Sequence, residues 1–243
     1  VKIIKLNAID STNTYLKKLS KKKHLEDATI VLAEHQTQGR GQMGSAWQSK
    51  AGQSLTFSVF KRFENLAITQ QAKITFGVSV GIKKALKKLR VPAISIKWPN
   101  DIMSYQHKLC GILIENQLEG SKIISSVIGI GLNVNETAFS DLPQATSMKL
   151  VTGNAFNLEE VLQIISQAVL EELNNLETKD MVKLKVSYEE MLFRKNKLTV
   201  FEDASGAKFN GMILGVNDAG ELIVDSEDEV RRAYELKNIK MLY

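Results

Sequence analysis

The sequence predicts an α+β protein: a large mixed sheet with flanking helices, followed by a small β-barrel. Three observations lead there. Short apolar strands are interspersed with long amphipathic helices through most of the chain. Beyond about residue 190 only short strands and turns remain. The chain has 243 residues, 44% apolar and 24% charged, enough to bury a sizeable core and inconsistent with disorder.

Each element has its own signal. Val1 to Leu6 alternates as a strand. Asp10-Ser11 offers an N-cap, and Thr14 to Lys22 continues as a helix with Tyr15, Leu16 and Leu19 on one side. Ala28 to Ala33 is a short buried strand. Residues 36–53 show little periodicity, so they form a long loop, and such loops in compact domains are usually functional. Leu55 to Phe60 resumes as a strand. From Ile68 to Leu89 the residues Ile74, Val78, Ile82, Leu86 and Leu89 recur at helical spacing, leaving Lys83, Lys84, Lys87 and Lys88 on a wet face. Ile94 to Trp98, Gly111 to Gln117 and Ile123 to Leu132 read as strands, and Asn157 to Leu176 as a helix with Asn157 and Glu160 in capping-box order. Five short strands close the chain: Lys197 to Phe201, Lys208 to Val216, Glu221 to Asp225, Val230 to Tyr234 and Ile239 to Leu242. Their spacing of ~8–12 residues indicates a small barrel. The expected domains are therefore residues 1–190 and 191–243.

The net charge of +5 fits an anionic ligand or an acidic partner and is too small to indicate nucleic acid. Cys110, the single cysteine, cannot form an internal disulfide, and its apolar neighbours make it a core thiol. No apolar run approaches the ~18 residues of a membrane span, and the start is too short and polar for a signal peptide. A cytoplasmic protein is expected. His24, His35 and His107 are scattered, and no metal site is assigned.

Three segments carry chemistry. In Gly39-Arg40-Gly41-Gln42-Met43-Gly44-Ser45-Ala46-Trp47 the glycines let backbone approach a phosphate, and Arg40 adds a forked cation. The bland alternative is a plain surface loop ending at a core tryptophan. In Lys97-Trp98-Pro99-Asn100-Asp101 and Lys108-Leu109-Cys110-Gly111-Ile112-Leu113-Ile114-Glu115, two lysines flanked by apolar residues either snorkel to solvent or point at an anion. Asp101 either closes a turn after Pro99 or orients an attacking amine. In Gly129-Ile130-Gly131-Leu132-Asn133 the alternate glycines strip one strand face, for a planar ligand or for close sheet packing.

Together with Ser11-Thr12-Asn13 and Ala145-Thr146-Ser147, these ordered motifs resemble those of the biotin protein ligases over essentially the whole chain. The resemblance implies the class II synthetase-like biotin ligase fold with an SH3-like C-terminal β-barrel. It also implies a two-step reaction. Biotin and ATP, with Mg2+ carried on the phosphates, give biotinyl-5′-adenylate, and a lysine of a biotin carboxyl carrier domain then takes the biotinyl group.

By motif, Ser11, Thr12, Asn13 and Gln36 would meet the ureido ring, with Gly39 and Arg40 at the biotin tail. Gly111, Leu113, Gly129 and Gly131 would wall the bicycle. Arg40, Gly41, Gln42, Trp47, Lys97, Asn100, Lys108 and Asn133 would hold the nucleotide. Arg40, Lys108 and Asp101 would be catalytic, Asp101 meeting the carrier lysine. Many family members carry arginine in place of Gln42 and a basic residue in place of Ser45, so a weaker grip on the adenylate is expected here. A lipoate or octanoyl ligase is the nearest rival, disfavoured by the polar Ser11, Thr12 and Gln36 set. A DNA-binding repressor is disfavoured because the first strand begins at once and the basic run Lys17 to Lys23 lacks interleaved aromatics. The expected partners are thus a carrier domain, biotin and ATP, without DNA or membrane, in a monomer or homodimer.

Overall fold

The computed structural model describes residues 1–22, 25–139, 142–228 and 230–243. Lys23 and His24, named above, lie outside the described residues. Seven strands form one mixed sheet: β1 (Ile3–Ile9), β2 (Ile30–Gln36), β3 (Ser54–Ala67), β4 (Ile94–Lys97), β5 (Asp101–Ser104), β6 (His107–Glu119) and β7 (Lys122–Asn133). Their order is β1-β2-β3-β7-β6-β5-β4, with β1 and β2 parallel and the other pairs antiparallel. The helices are α1 (Thr12–Lys22), α2 (Ala72–Lys88), α3 (Met148–Thr152), α4 (Leu158–Asn174) and α5 (Met181–Glu189). A second, antiparallel sheet is built from β8 (Leu198–Asp203), β9 (Lys208–Val216), β10 (Leu222–Ser226), β11 (Arg231–Tyr234) and β12 (Ile239–Leu242). Its order is β11-β10-β9-β8-β12, so the expected small barrel is a five-stranded sheet with β11 and β12 as its edges.

Side-chain alternation gives the large sheet two unlike faces. Leu55, Phe57 and Val59 of β3 and Ile128, Ile130 and Leu132 of β7 enter one core with Ile74, Val78 and Ile82 of α2 and Val161, Ile165 and Val169 of α4. On the opposite face Leu16 of α1 packs with Val31, Phe60 and Val127 in a smaller cluster, and Thr56, Ser58, Gly111, Leu113, Gly129 and Gly131 leave the remainder of β3, β6 and β7 mostly small or polar. Phe201, Ile213, Leu222 and Ile239 of the second sheet belong to the main core. At the junction, Ile96 N donates to Met191 O at 2.7 Å and Phe193 N donates to Ile96 O at 2.8 Å.

Caps account for several boundaries. Asn157 Oδ1 accepts from the backbone N–H groups of Glu159 and Glu160, as its capping position predicts. Asp180 caps α5 in the same way, a helix that the sequence reading left unassigned. Its apolar residues Val182, Leu184, Val186 and Tyr188 fall at every second position, which hides a helical stripe. β5 was also hidden: Asp101 does not merely close a turn but begins this strand, paired with Lys97. β3 runs past Phe60 to Ala67 through an irregularity between Arg62 and Leu66. Cys110 is fully buried, and burial pushes its thiol well above the ordinary range, as befits a core residue. Among the described residues no helix is long and apolar enough to cross a membrane.

Candidate active site

The loop between β2 and β3 is pinched at its base. Arg40 and Ala46 form an antiparallel bridge, Trp47 N donates to Gly39 O at 2.9 Å, and Gly41 N donates to Ser45 O at 2.7 Å. This closure explains Gly39, because a Cβ there would stand 2.3 Å from the Trp47 carbonyl oxygen. Gly39 thus lets the two sides of the loop base close on each other.

Beneath the loop lies a cavity of about 500 Å³. The start of α1 supplies Ser11, Thr12 and Asn13, and the end of β2 supplies Gln36. The loop adds Arg40, Gly41, Gln42 and Trp47, while Gly111, Leu113, Gly129 and Gly131 form the floor. Lys97, Asn100, Asp101 and Lys108 gather at one end, and Leu222, Ile239 and Met241 close it from the second sheet. Residues as far apart in sequence as Ser11 and Gly131 that were expected to act together thus share one chamber, Arg40 and Lys108 included. Asn133 is buried, and its amide donates to Thr146 O at 3.0 Å, stitching β7 to the 145–147 segment.

The polar end is a continuous hydrogen-bond network. Thr12 donates to Gln36 Oε1 through both its backbone N–H, at 2.8 Å, and its hydroxyl, at 3.0 Å. Ser58 Oγ lies 2.7 Å from Thr12 Oγ1 and 2.6 Å from Asn13 Oδ1. Asn13 Nδ2 donates to Leu113 O at 3.2 Å and to Glu115 Oε2 at 3.0 Å. A network satisfied in this way fixes each rotamer before any ligand arrives. Ser58 and Glu115 were not singled out from the sequence. The signal was present: Thr56 and Ser58 alternate with apolar β3 residues, and Glu115 follows Gly111 and Leu113 at two-residue steps on β6.

The glycine floor seats protein side chains first. A Cβ at Gly131 would fall 2.2 Å from Trp47 Cε2, one at Gly111 3.0 Å from Trp47 Cζ3, and one at Gly129 2.5 Å from Asn13 Oδ1. Trp47 therefore lies flat against the bared strands, and its Nε1 is buried without a hydrogen-bond partner, as is Gln42 Oε1. Orphaned polar atoms at a cavity wall are uncommon and suit ligand contacts.

At the cationic end Lys108 Nζ stands 2.7 Å from Asp101 Oδ1 and 5.8 Å from the centre of the Trp47 ring. Backbone hydrogen bonds hold Lys108 in place: its N–H donates to Gln144 O at 2.6 Å, and its carbonyl accepts from Thr146 N at 2.9 Å. Asn100 Nδ2 donates to Ile112 O at 2.8 Å, bracing the turn between β4 and β5. Lys97 lies 4.8 Å from the centre of the Tyr243 ring. Burial pulls its ammonium below the usual lysine range; Asp101 opposes this, while Lys108 and Lys240 reinforce it. Trp98 Nε1 donates to Gly220 O at 2.8 Å, tying this end to the turn between β9 and β10. The site can thus hold an anion between fixed cations at one end and a polar, uncharged group at the other.

The chain is similar in sequence and fold to known proteins. A model of the biotin/lipoate A/B protein ligase family matches residues 6–133. The biotin--[acetyl-CoA-carboxylase] ligase of Paracoccus denitrificans is 30% identical over 224 residues, covering 88% of this chain and 90% of that protein. The bifunctional ligase/repressor BirA of Bacillus spizizenii is 28% identical over 213 residues; the match takes in 86% of this chain but 65% of that relative's length. Among solved structures, the biotin protein ligase of Aquifex aeolicus in complex with biotin and ATP superposes with a TM-score of 0.79 at 26% identity, over 99% of this chain and 98% of that one. The Leishmania major biotin protein ligase in complex with biotinyl-5-AMP shares the fold, with a TM-score of 0.64 at 20% identity and coverage of 96% and 98%. By sequence along its length and by the architecture around this cavity, the chain belongs to the biotin/lipoate A/B protein ligase family.

Proposed function

We propose that the chain is a biotin protein ligase, which activates biotin as biotinyl-5′-AMP and passes the biotinyl group to a lysine of a biotin carboxyl carrier domain. The observation that carries this reading is the cavity itself. It brings an uncharged polar network of Ser11, Thr12, Asn13 and Gln36 into one chamber with the cations Arg40, Lys97 and Lys108. A ureido ring needs neutral donors and acceptors at one end, and a carboxylate meeting a triphosphate needs cations at the other. An acyl chain, as in a lipoate ligase, would leave that polar set without a purpose.

In this reading residues 1–190 carry the chemistry and residues 191–243 supply one wall. The biotin carboxylate attacks the α-phosphorus of ATP, and pyrophosphate leaves. Arg40 and Lys108 offset the repulsion between the two anions and stabilise the charge that builds on phosphorus. Lys97 and Asn100 shape the phosphate end. Gly41 and Gln42 hold the nucleotide from the loop, and Trp47 packs against the adenylate over Gly111 and Gly131, with Leu113 and Gly129 beside the biotin ring. In the second step the carrier amine attacks the acyl carbon and AMP leaves, with Asp101 orienting that amine. Asp101 is the one carboxylate in the described lining and is already paired with Lys108, so the donor set suits magnesium held by phosphate oxygens and water.

Incubation with biotin, ATP and a carrier domain, followed by mass measurement, tests the reading. One biotinyl group gained on one carrier lysine is the expected result. No gain with biotin but transfer of a lipoyl group would overturn it.

A further inference from the structure

Glu115 stands on the site face of β6 without a part in the assignments above. Its side chain is 16% exposed and meets three partners: Lys17 Nζ at 2.7 Å and Arg40 at 3.3 Å, both on Oε1, and Asn13 Nδ2 at 3.0 Å on Oε2. Arg40 is the loosest of the three and, at 48% side-chain exposure, also the most exposed. We propose that Glu115 is a positioning residue that meters Arg40: anchored by Lys17 and Asn13, it competes with the nucleotide phosphate for the loop guanidinium and sets how tightly the loop holds ATP. This rests on the ligase reading and names the residue that regulates its anion grip.

Three physical points support it. A half-buried carboxylate stripped of partners is costly, but Glu115 keeps Lys17 and Asn13 when Arg40 turns to a phosphate, so Arg40 can leave cheaply. Lys17 and Arg40 share one oxygen, so a strong Lys17 contact weakens the hold on Arg40. Burial works against ionisation of Glu115, yet hydrogen bonds from Lys17 and Asn13 and the charges of Lys17 and Arg40 outweigh it and keep the carboxyl below its ordinary range. The same carboxylate also orients the Asn13 amide, whose Oδ1 meets Ser58 and through it Thr12. One residue therefore touches both the polar end of the cavity and the loop.

Lys17 lies outside the cavity lining, which makes it the cleaner lever. Biotin-dependent ATP–pyrophosphate exchange is measured with ATP and biotin varied separately. Lys17→Met leaves Glu115 to lean on Arg40, so the ATP KM rises about three- to fivefold, the range of one such ion pair, while the biotin KM, set mainly by the polar network, changes less. Glu115→Gln keeps an oxygen for Asn13 and drops the charge, so the ATP KM falls and the Lys17→Met effect disappears in the double variant. Lys18→Met, whose ion pair is with Asp10, controls for loss of charge alone and leaves the ATP KM unchanged. An unchanged ATP KM in Lys17→Met, an equal rise in Lys18→Met, or a Lys17→Met effect that persists beside Glu115→Gln would each overturn the proposal. If Glu115→Gln fails to fold, the two lysine variants decide alone. Absence of exchange in the wild-type protein would instead sink the ligase reading itself.

Discussion

Neighbouring residues of β7 face opposite worlds. Leu132 is fully buried against Leu55 and Cys110, in the core shared with α2 and α4, while Gly131 turns its bare face to Trp47 in the cavity. On the first face alternation places bulk, and packing decides the residue. On the second it places glycine, serine, threonine and carboxylate, and the cavity decides: Gly131 makes room for Trp47, while Ser58 and Glu115 join the polar network. A single strand thus carries a stability requirement and a functional one at two-residue period, and the two should separate in mutants.

The largest expected effect breaks the dry face. Leu132→Ala should cost about 2–5 kcal/mol, the range for leucine deletion in a close-packed core. Denaturant melting reads the loss, and activity per folded molecule should survive. On the wet face the expectation reverses. Lys108→Ala removes a preorganised cation and should raise the adenylation barrier by about 2.7–4 kcal/mol, read as pyrophosphate release, while the melting midpoint barely moves. Near-normal release would take Lys108 out of its role.

Gly131→Val sharpens the contrast at the adjacent position. Its Cβ collides with the indole, so Trp47 must leave its seat; misplacement of this size costs about a hundredfold in turnover, with far-ultraviolet circular dichroism unchanged. A variant as active as wild type would mean that the Trp47 seat is irrelevant to catalysis.

The smallest effect is one of pH. Lys97 loses its proton below the ordinary lysine value of 10.5, mainly because it is buried. In that alkaline window the unfolded chain holds more protons than the folded one, so stability rises with pH there while the nucleotide end loses a charge. The ATP KM should therefore climb before pH 10.5 is reached, and Lys97→Arg, whose guanidinium stays protonated, should flatten that limb. An identical alkaline limb in both proteins would assign it to another group.

Legibility followed the same division. The dry face could be read early because apolar periodicity is a repeated signal: α2, α4, β9 and β12 stand where the pattern puts them. α5 escaped because its apolar residues alternate as a strand's would and only the Asp180 cap betrays a helix. β5 escaped because four residues after a proline turn give too little period to detect. In the site, residues in compact motifs were found, whereas Ser58 and Glu115 act only through partners 45 or more positions away. The protein neighbours of Gly39 and Asn133, the Trp47 and Thr146 carbonyls, were equally hidden, because a motif says where a residue sits in sequence, not what it touches.

The edge strand β12 has a consequence for sealing. Ile239 and Met241 line the same chamber as Ser11. A strand at the margin of a sheet has a neighbour on one side alone and frays more readily than an interior one, so local opening of β12 would let water reach the chamber without unfolding the large sheet.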